Sequence, residues 1–167
     1  KKLNSYAEFN DFINNCEDSE VIIAGGSIAN LIIEYYFNIP AKINDIDIFF
    51  RNEYEHEENL NIKDDRDYYS SFFIKIFKTQ EKNILNIIYY NDFNDFNDNS
   101  YTFNLIDSFD LNACQVGYDF NNDCLLFHPN FKKFLAEKIV KVNSTKNPYK
   151  TLARMLQKRE DFNNYFK

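Results

Sequence analysis

Val21–Phe50, VIIAGGSIANLIIEYYFNIPAKINDIDIFF, is the stretch whose reading decides the fold. Val21 to Ala24 is a short apolar run of strand length, and Gly25, Gly26 and Ser27 predict a tight turn into a helix carrying Ile28, Leu31, Ile32 and Tyr35. Asn38 to Pro40 stops that helix, and Lys42 to Phe50 predicts the next strand. The chain has only 3 Gly, so two side by side mark a place where the backbone bends sharply or comes close to a ligand. A helix that starts at such a turn offers free N–H groups and the positive end of its dipole, which suits phosphate, and Ser27 is placed to cap it. An ordinary strand-to-helix turn has the same composition, so the turn gains its weight from the acids on the strand after the helix. Asp45 and Asp47 stand two apart on that strand and share one face, while Ile46 and Ile48 take the other. Carboxylates that close repel one another unless a proton or a cation lies between them, and the pair calls for a metal ion.

The 167 residues suit a single domain, with about 1–128 forming a sheet and its helices and about 129–167 adding C-terminal helices. A composition that is 44% hydrophobic and 18% aromatic excludes global disorder. The net charge of -7 argues against a broad electrostatic footprint on nucleic acid, though it leaves room for a local basic groove. No run approaches the roughly 18 apolar residues of a membrane span, and no charged-then-apolar leader opens the chain. Cys16, Cys114 and Cys124 have no zinc-like spacing and are odd in number, which favours a reducing compartment. The expectation is a cytoplasmic protein.

Along the rest of the chain, Ser5 and Glu8 form a capping-box pattern that predicts a helix through Phe9, Phe12, Ile13 and Cys16. The polar stretch 51–67 reads as a solvated loop or a frayed helix, and 91–100 as a surface loop or a flap. Phe72 to Lys78 and Ile84 to Tyr90 predict two antiparallel strands. Tyr101 to Ser108 predicts a short helix, Phe109 to Tyr118 a strand that puts Asp110, Asn112, Cys114 and Val116 on one face, and Cys124 to Phe127 another short strand. An aspartate near the start of that otherwise apolar strand makes Asp110 a third candidate carboxylate. Two helices close the chain, the second opening at Pro148 and carrying Arg154 and Lys158 one turn apart, either as a solvated basic face or as a contact for phosphate or acceptor.

Gly25-Gly26-Ser27, a helix, and Asp45-x-Asp47 on the next strand together resemble the signature of the nucleotidyltransferase superfamily that includes DNA polymerase β and the CCA-adding and poly(A) polymerases. FDLNACQVGYDFNNDCLLFHPNF, residues 109–131, resembles the stretch of bacterial-type CCA-adding enzymes that runs Asp-Phe-Thr-x-Asn-Ala and continues through strand, turn and strand. NPYKTLARMLQKRE, residues 147–160, is similar to the Arg-bearing helix that comes after it there. Two departures stand out. Asp107 and Ser108 replace the family's Arg-Asp pair, and Asp110 holds the Thr position when Asn112-Ala113 is aligned with Asn-Ala, so the third carboxylate is Asp110 or, in a shifted register, Asp107. The large C-terminal domains that hold tRNA in CCA-adding enzymes have no room in this length, which points to a minimal catalytic module.

The resemblance implies an α+β fold: a mixed sheet of about five strands with helices mainly on one face, plus C-terminal helices. It implies that Asp45, Asp47 and Asp110 hold two Mg²⁺ (or Mn²⁺) ions, with Asp110 also a proton acceptor. Gly25, Gly26, Ser27, Asn112, Arg154 and Lys158 would bind the nucleoside triphosphate. The implied reaction moves a nucleoside monophosphate to an acceptor hydroxyl on RNA, protein or a small molecule. The alternative is a module that kept the fold, lost turnover, and acts through a protein partner.

Overall fold

The structure, a computed structural model, describes residues 20–50, 72–78, 84–90, 101–144 and 147–161. The expected helix near residues 5–17 and the loops at 51–67 and 91–100 lie outside them. Among the described residues six strands form one sheet: β1 (Val21–Ala24), β2 (Asp45–Phe50), β3 (Phe72–Lys78), β4 (Ile84–Tyr90), β5 (Val116–Asp119) and β6 (Cys124–Phe127), in the order β3-β4-β2-β1-β5-β6. Among the described residues only the β2–β4 pair is parallel, so the sheet is mixed as expected. The helices are α1 (Gly26–Phe37), α2 (Tyr101–Asp107), α3 (Pro129–Glu137) and α4 (Pro148–Asp161).

Alternation along the strands separates two cores. On one face Val21 and Ile23 of β1, Ile46, Ile48 and Phe50 of β2, and Leu85 and Ile87 of β4 pack against Ile28, Ala29, Ile32 and Ile33 of α1 and Phe131 and Phe134 of α3. The opposite face is smaller: Ile22, Ala24, Phe49 and Ile88 meet Leu105 of α2. Gly117 lies under that crossing, where a Cβ would stand 3.2 Å from Ile106 Cδ1 and 3.3 Å from both Ala24 Cβ and the Ile23 carbonyl oxygen, so a larger residue there requires these neighbours to give by a few tenths of an ångström. Asp45 and Asp47 alternate with Ile46 and Ile48 and so fall on the face that carries Phe49, away from the main helical layer.

Local signals set the ends of the helices. α1 stops at Asn38, which takes the left-handed conformation at φ 54° and donates its N–H to the Glu34 carbonyl at 2.9 Å, with Pro40 close behind. α3 begins at Pro129 with the His128 side chain accepting the Asn130 N–H, and α4 begins at Pro148 with Asn147 Oδ1 accepting the Lys150 N–H at 3.1 Å.

The strand expected over Phe109 to Tyr118 is not formed as such. Leu111 makes an isolated bridge to Val142, Asn112–Cys114 is a turn of 3₁₀-helix, and the strand proper starts at Val116. The cause is Asn112: its amide oxygen accepts the Lys141 N–H at 2.8 Å and its amide nitrogen donates to the Ile139 carbonyl at 3.1 Å. A side chain that binds main chain in this way competes with a strand ladder. Asp110, Asn112, Cys114 and Val116 therefore do not share a strand face.

Packing fixes the energetic scale of α1. Ile33→Ala, in the middle of its fully buried side, is expected to lower the free energy of unfolding in urea by roughly 2–5 kcal/mol. Tyr35→Ala, on the exposed side of the same helix, is expected to change it by no more than about 0.5 kcal/mol.

Candidate functional site

The antiparallel pairing of β1 and β2 sets Ala24 opposite Asp47. The end of β1 and the start of β2 are therefore neighbours, and the residue after Ala24 meets the acids. That residue is Gly25, buried, with φ +87° and ψ -142°, a conformation that L side chains rarely adopt. Its N–H donates to the Val116 carbonyl at 2.9 Å, tying the turn to β5. A Cβ at Gly25 would lie 3.5 Å from Asp47 Oδ2, so this carboxylate oxygen sits directly against the turn. The other oxygen, Oδ1, accepts a hydrogen bond from Asn86 Nδ2 at 2.7 Å, across the parallel β2–β4 pair in which Asp47 and Asn86 are partners. Asp45 is exposed and Asp47 half-buried.

Gly25 holds the N-cap position of α1, no side chain caps the helix, and its first turn carries no acidic residue. Ser27, expected as the cap, is instead buried in the first turn, and its hydroxyl has no hydrogen-bond partner among the described residues. The positive end of the α1 dipole is thus left to whatever binds there.

α4 lies across this corner. Lys158 Nζ donates to Asn30 Oδ1 at 2.9 Å and stands 3.1 Å from where a Cβ on Gly26 would be, so the ammonium approaches the first turn of α1 closely. Burial pushes the Asp47 carboxyl up from 3.8 to about 6; the Asn86 hydrogen bond pulls the other way, Asp45 adds to the rise, and Arg154 and Lys158 oppose it. Asp45, Asn86, Arg154 and Lys158 thus all act on Asp47, and the cations of α4 only partly offset its burial.

Asp110 is drawn to α4. Arg154 Nη1 donates to its Oδ1 at 2.7 Å and Thr151 Oγ1 to its Oδ2 at 2.9 Å, so both oxygens have protein partners. Asp107, the alternative third acid, lies 3.1 Å from His128 Nε2. Among the described residues no three His, Cys, Asp or Glu side chains gather as a metal ion's ligands, so neither aspartate joins Asp45 and Asp47 in such a group. Asn112 is buried with both ends of its amide on main chain, and a nucleotide would reach it only by displacing that clamp. The residues that remain at the corner still suit a hard cation: Mg²⁺ takes oxygen ligands and is commonly held by one or two carboxylates together with substrate phosphates. Asn86 was missed in the sequence. Its signal was a single amide inside the apolar run ILNIIYY, facing the same way as Ile88.

The sheet order, the glycine turn and the acids on β2 define a nucleotidyltransferase fold. A CCA-adding enzyme in complex with CTP aligns with a TM-score of 0.60 at 15% identity, covering 90% of this chain and 37% of that one. The Thermotoga maritima CCA-adding enzyme complexed with tRNA aligns at 0.56 and 17% identity, covering 91% of this chain and 34% of that one. At such identities the likeness is one of fold. The chain belongs to the Gabija anti-defense 2 family, whose sequence pattern matches residues 1–138. A Bacillus phage SPbetaL7 protein named Gabija anti-defense 2 is 30% identical over 153 residues, which are 87% of this chain and 34% of that protein. The chain spans about a third of the length of that relative. No helix among the described residues is long and apolar enough to cross a membrane.

A carboxyl that holds its proton more tightly folded than unfolded favours the folded state at low pH and loses that advantage as pH climbs from 3.8 to about 6. The metal-free protein is therefore expected to lose at most about 3 kcal/mol over this interval through Asp47, each pH unit being worth about 1.4 kcal/mol. Urea denaturation of wild type and Asp47→Asn from pH 4 to 8 checks this: the variant's stability should lack that fall and should exceed wild type at neutral pH.

Proposed function

We propose that the chain is a metal-dependent nucleotidyltransferase module, which moves a nucleoside monophosphate from a nucleoside triphosphate to an acceptor hydroxyl on RNA, a protein or a small molecule. The family's name supports an anti-defense role, with the activity directed against the Gabija defense. One observation carries the reading. Two repelling carboxylates, one with an oxygen set against a glycine turn, stand beside an uncapped helix N-terminus and two cations, a combination that an ordinary structural corner does not need.

Asp45 and Asp47 would hold the divalent ion, Mg²⁺ or Mn²⁺. Bound there, it would neutralise charge on the transferring phosphoryl group, favour ionisation of the acceptor hydroxyl and steady the departing pyrophosphate. The first turn of α1, with Gly25, Gly26 and Ser27, would bind the triphosphate through its backbone N–H groups, while the Ser27 hydroxyl is buried and has no hydrogen-bond partner among the described residues. Lys158 and Arg154 add positive charge that acts on Asp47. Asp110, with both oxygens engaged, orients Arg154 and anchors α4.

The same engagement of Asp110 favours a second reading. With two acids in place of three, the module would bind nucleotide without transferring it and act through a protein partner.

Purified protein incubated with Mg²⁺, each labelled nucleoside triphosphate and candidate RNA or protein acceptors separates these readings. The expected outcome is Mg²⁺-dependent nucleotide binding and label transfer, reduced about a thousandfold or more by Asp45→Asn or Asp47→Asn with no fall in melting temperature. Binding without transfer to any acceptor supports the second reading, and absence of Mg²⁺-dependent nucleotide binding overturns both.

A further inference from the structure

We propose that Asn86 is the residue that positions the metal-facing carboxylate, a role that rests on the reading of Asp45 and Asp47 as divalent-cation ligands. Asp47 has two oxygens and a rotatable carboxylate plane, and only one oxygen, Oδ2, lies against the Gly25 turn. Asn86 Nδ2 donates to the other at 2.7 Å, short for an amide N–H and in the range of a charge-assisted bond. Asn86 sits on β4, where register with β2 is held from Asp45↔Ile84 to Phe50↔Tyr89, so the donor comes from a strand rather than from a loop. Its neighbours Leu85, Ile87 and Ile88 are buried in the two cores, which fixes the strand's rotation and hence the direction of the amide. The result is a division of labour between the oxygens of Asp47: Oδ1 is pinned to the sheet and Oδ2 is presented to the corner where Asp45 and the α1 N-terminus meet.

An amide suits this place better than either alternative. An acid there would repel Asp47 instead of orienting it, and an aliphatic side chain would leave Oδ1 without its bond and the carboxylate free to turn. Groups that hold a ligand from outside the coordination sphere commonly matter by ten- to a hundredfold in metal affinity.

The test is Mn²⁺ binding by electron paramagnetic resonance at pH 8, on the whole chain, with melting temperature measured on each variant. Asn86→Ala should weaken Mn²⁺ binding about tenfold or more and broaden the signal of the bound ion, and Asn86→Gln, which keeps an amide donor, should recover part of the loss. Asp47→Asn should remove binding. Mn²⁺ binding by Asn86→Ala equal to wild type, or by Asn86→Gln no better than by Asn86→Ala, overturns the role of Asn86 while leaving the metal site standing. Absence of Mn²⁺ binding by the wild type overturns the metal site and the role of Asn86 together.

Discussion

The register in which Ala24 faces Asp47 is the constraint on which the rest of the molecule depends. Because β1 and β2 run antiparallel, the exit of one strand is the entrance of the other, and the turn after β1 has to share space with the first acids of β2. That sharing favours glycine at 25, since the backbone there stands at φ +87°, a conformation that L side chains rarely adopt. A shift of β2 by one residue would turn Asp45 and Asp47 into the main core and Ile46 and Ile48 out of it, so hydrophobic burial on the α1 face holds the acids in place on the other. The apolar core thereby specifies the polar corner.

α4 completes the corner from a distance in sequence. Thr151 and Arg154 bind Asp110, Lys158 binds Asn30, and Met155 packs at the edge of the main core between them. These residues fall at successive turns of one helix face, so the helix is fixed by an acid at one end and by the start of α1 at the other. A protein with net charge -7 thus collects two of its cations where its own acids and a helix N-terminus would attract an anion and its counter-ion. The distribution of charge, not its sum, is what bears on the ligand.

The parts legible in the sequence were those whose signal is local. The Gly25-Gly26 turn, the Asn38 and Pro40 stop, the alternation of Asp45 to Ile48 and the paired runs at 72–78 and 84–90 each arise from a few adjacent residues, and all appear in the structure. The parts that were not legible depend on partners far along the chain. Asn112 looked like one position in a strand because nothing near it announces the main chain of Ile139 and Lys141 that it clamps. Asp110 looked available because Thr151 and Arg154 are some forty residues away. Asn86 gains its meaning only from the parallel register, which places it beside Asp47. Ser27 looked like a cap because serine favours that position, yet the backbone that glycine alone can supply moved the cap to Gly25 and drew the serine inside.

Placing Asp47 where burial raises its carboxyl to about 6 works against the stability of the metal-free protein at neutral pH, and Asp45 adds to the cost. Asn86, Arg154 and Lys158 offset part of it and leave the remainder uncompensated. A neutral asparagine at 47 would keep the strand, the register and a hydrogen bond to Asn86 without that burden. A charge at a site where the fold would be more stable without it fits the proposed function, in which its partner would arrive from outside the chain. Under the proposed function, two adjacent carboxylates beside an open helix N-terminus would be satisfied together by a divalent cation carrying an anionic ligand, since a cation alone would leave the helix end unused and an anion alone would be repelled by the acids.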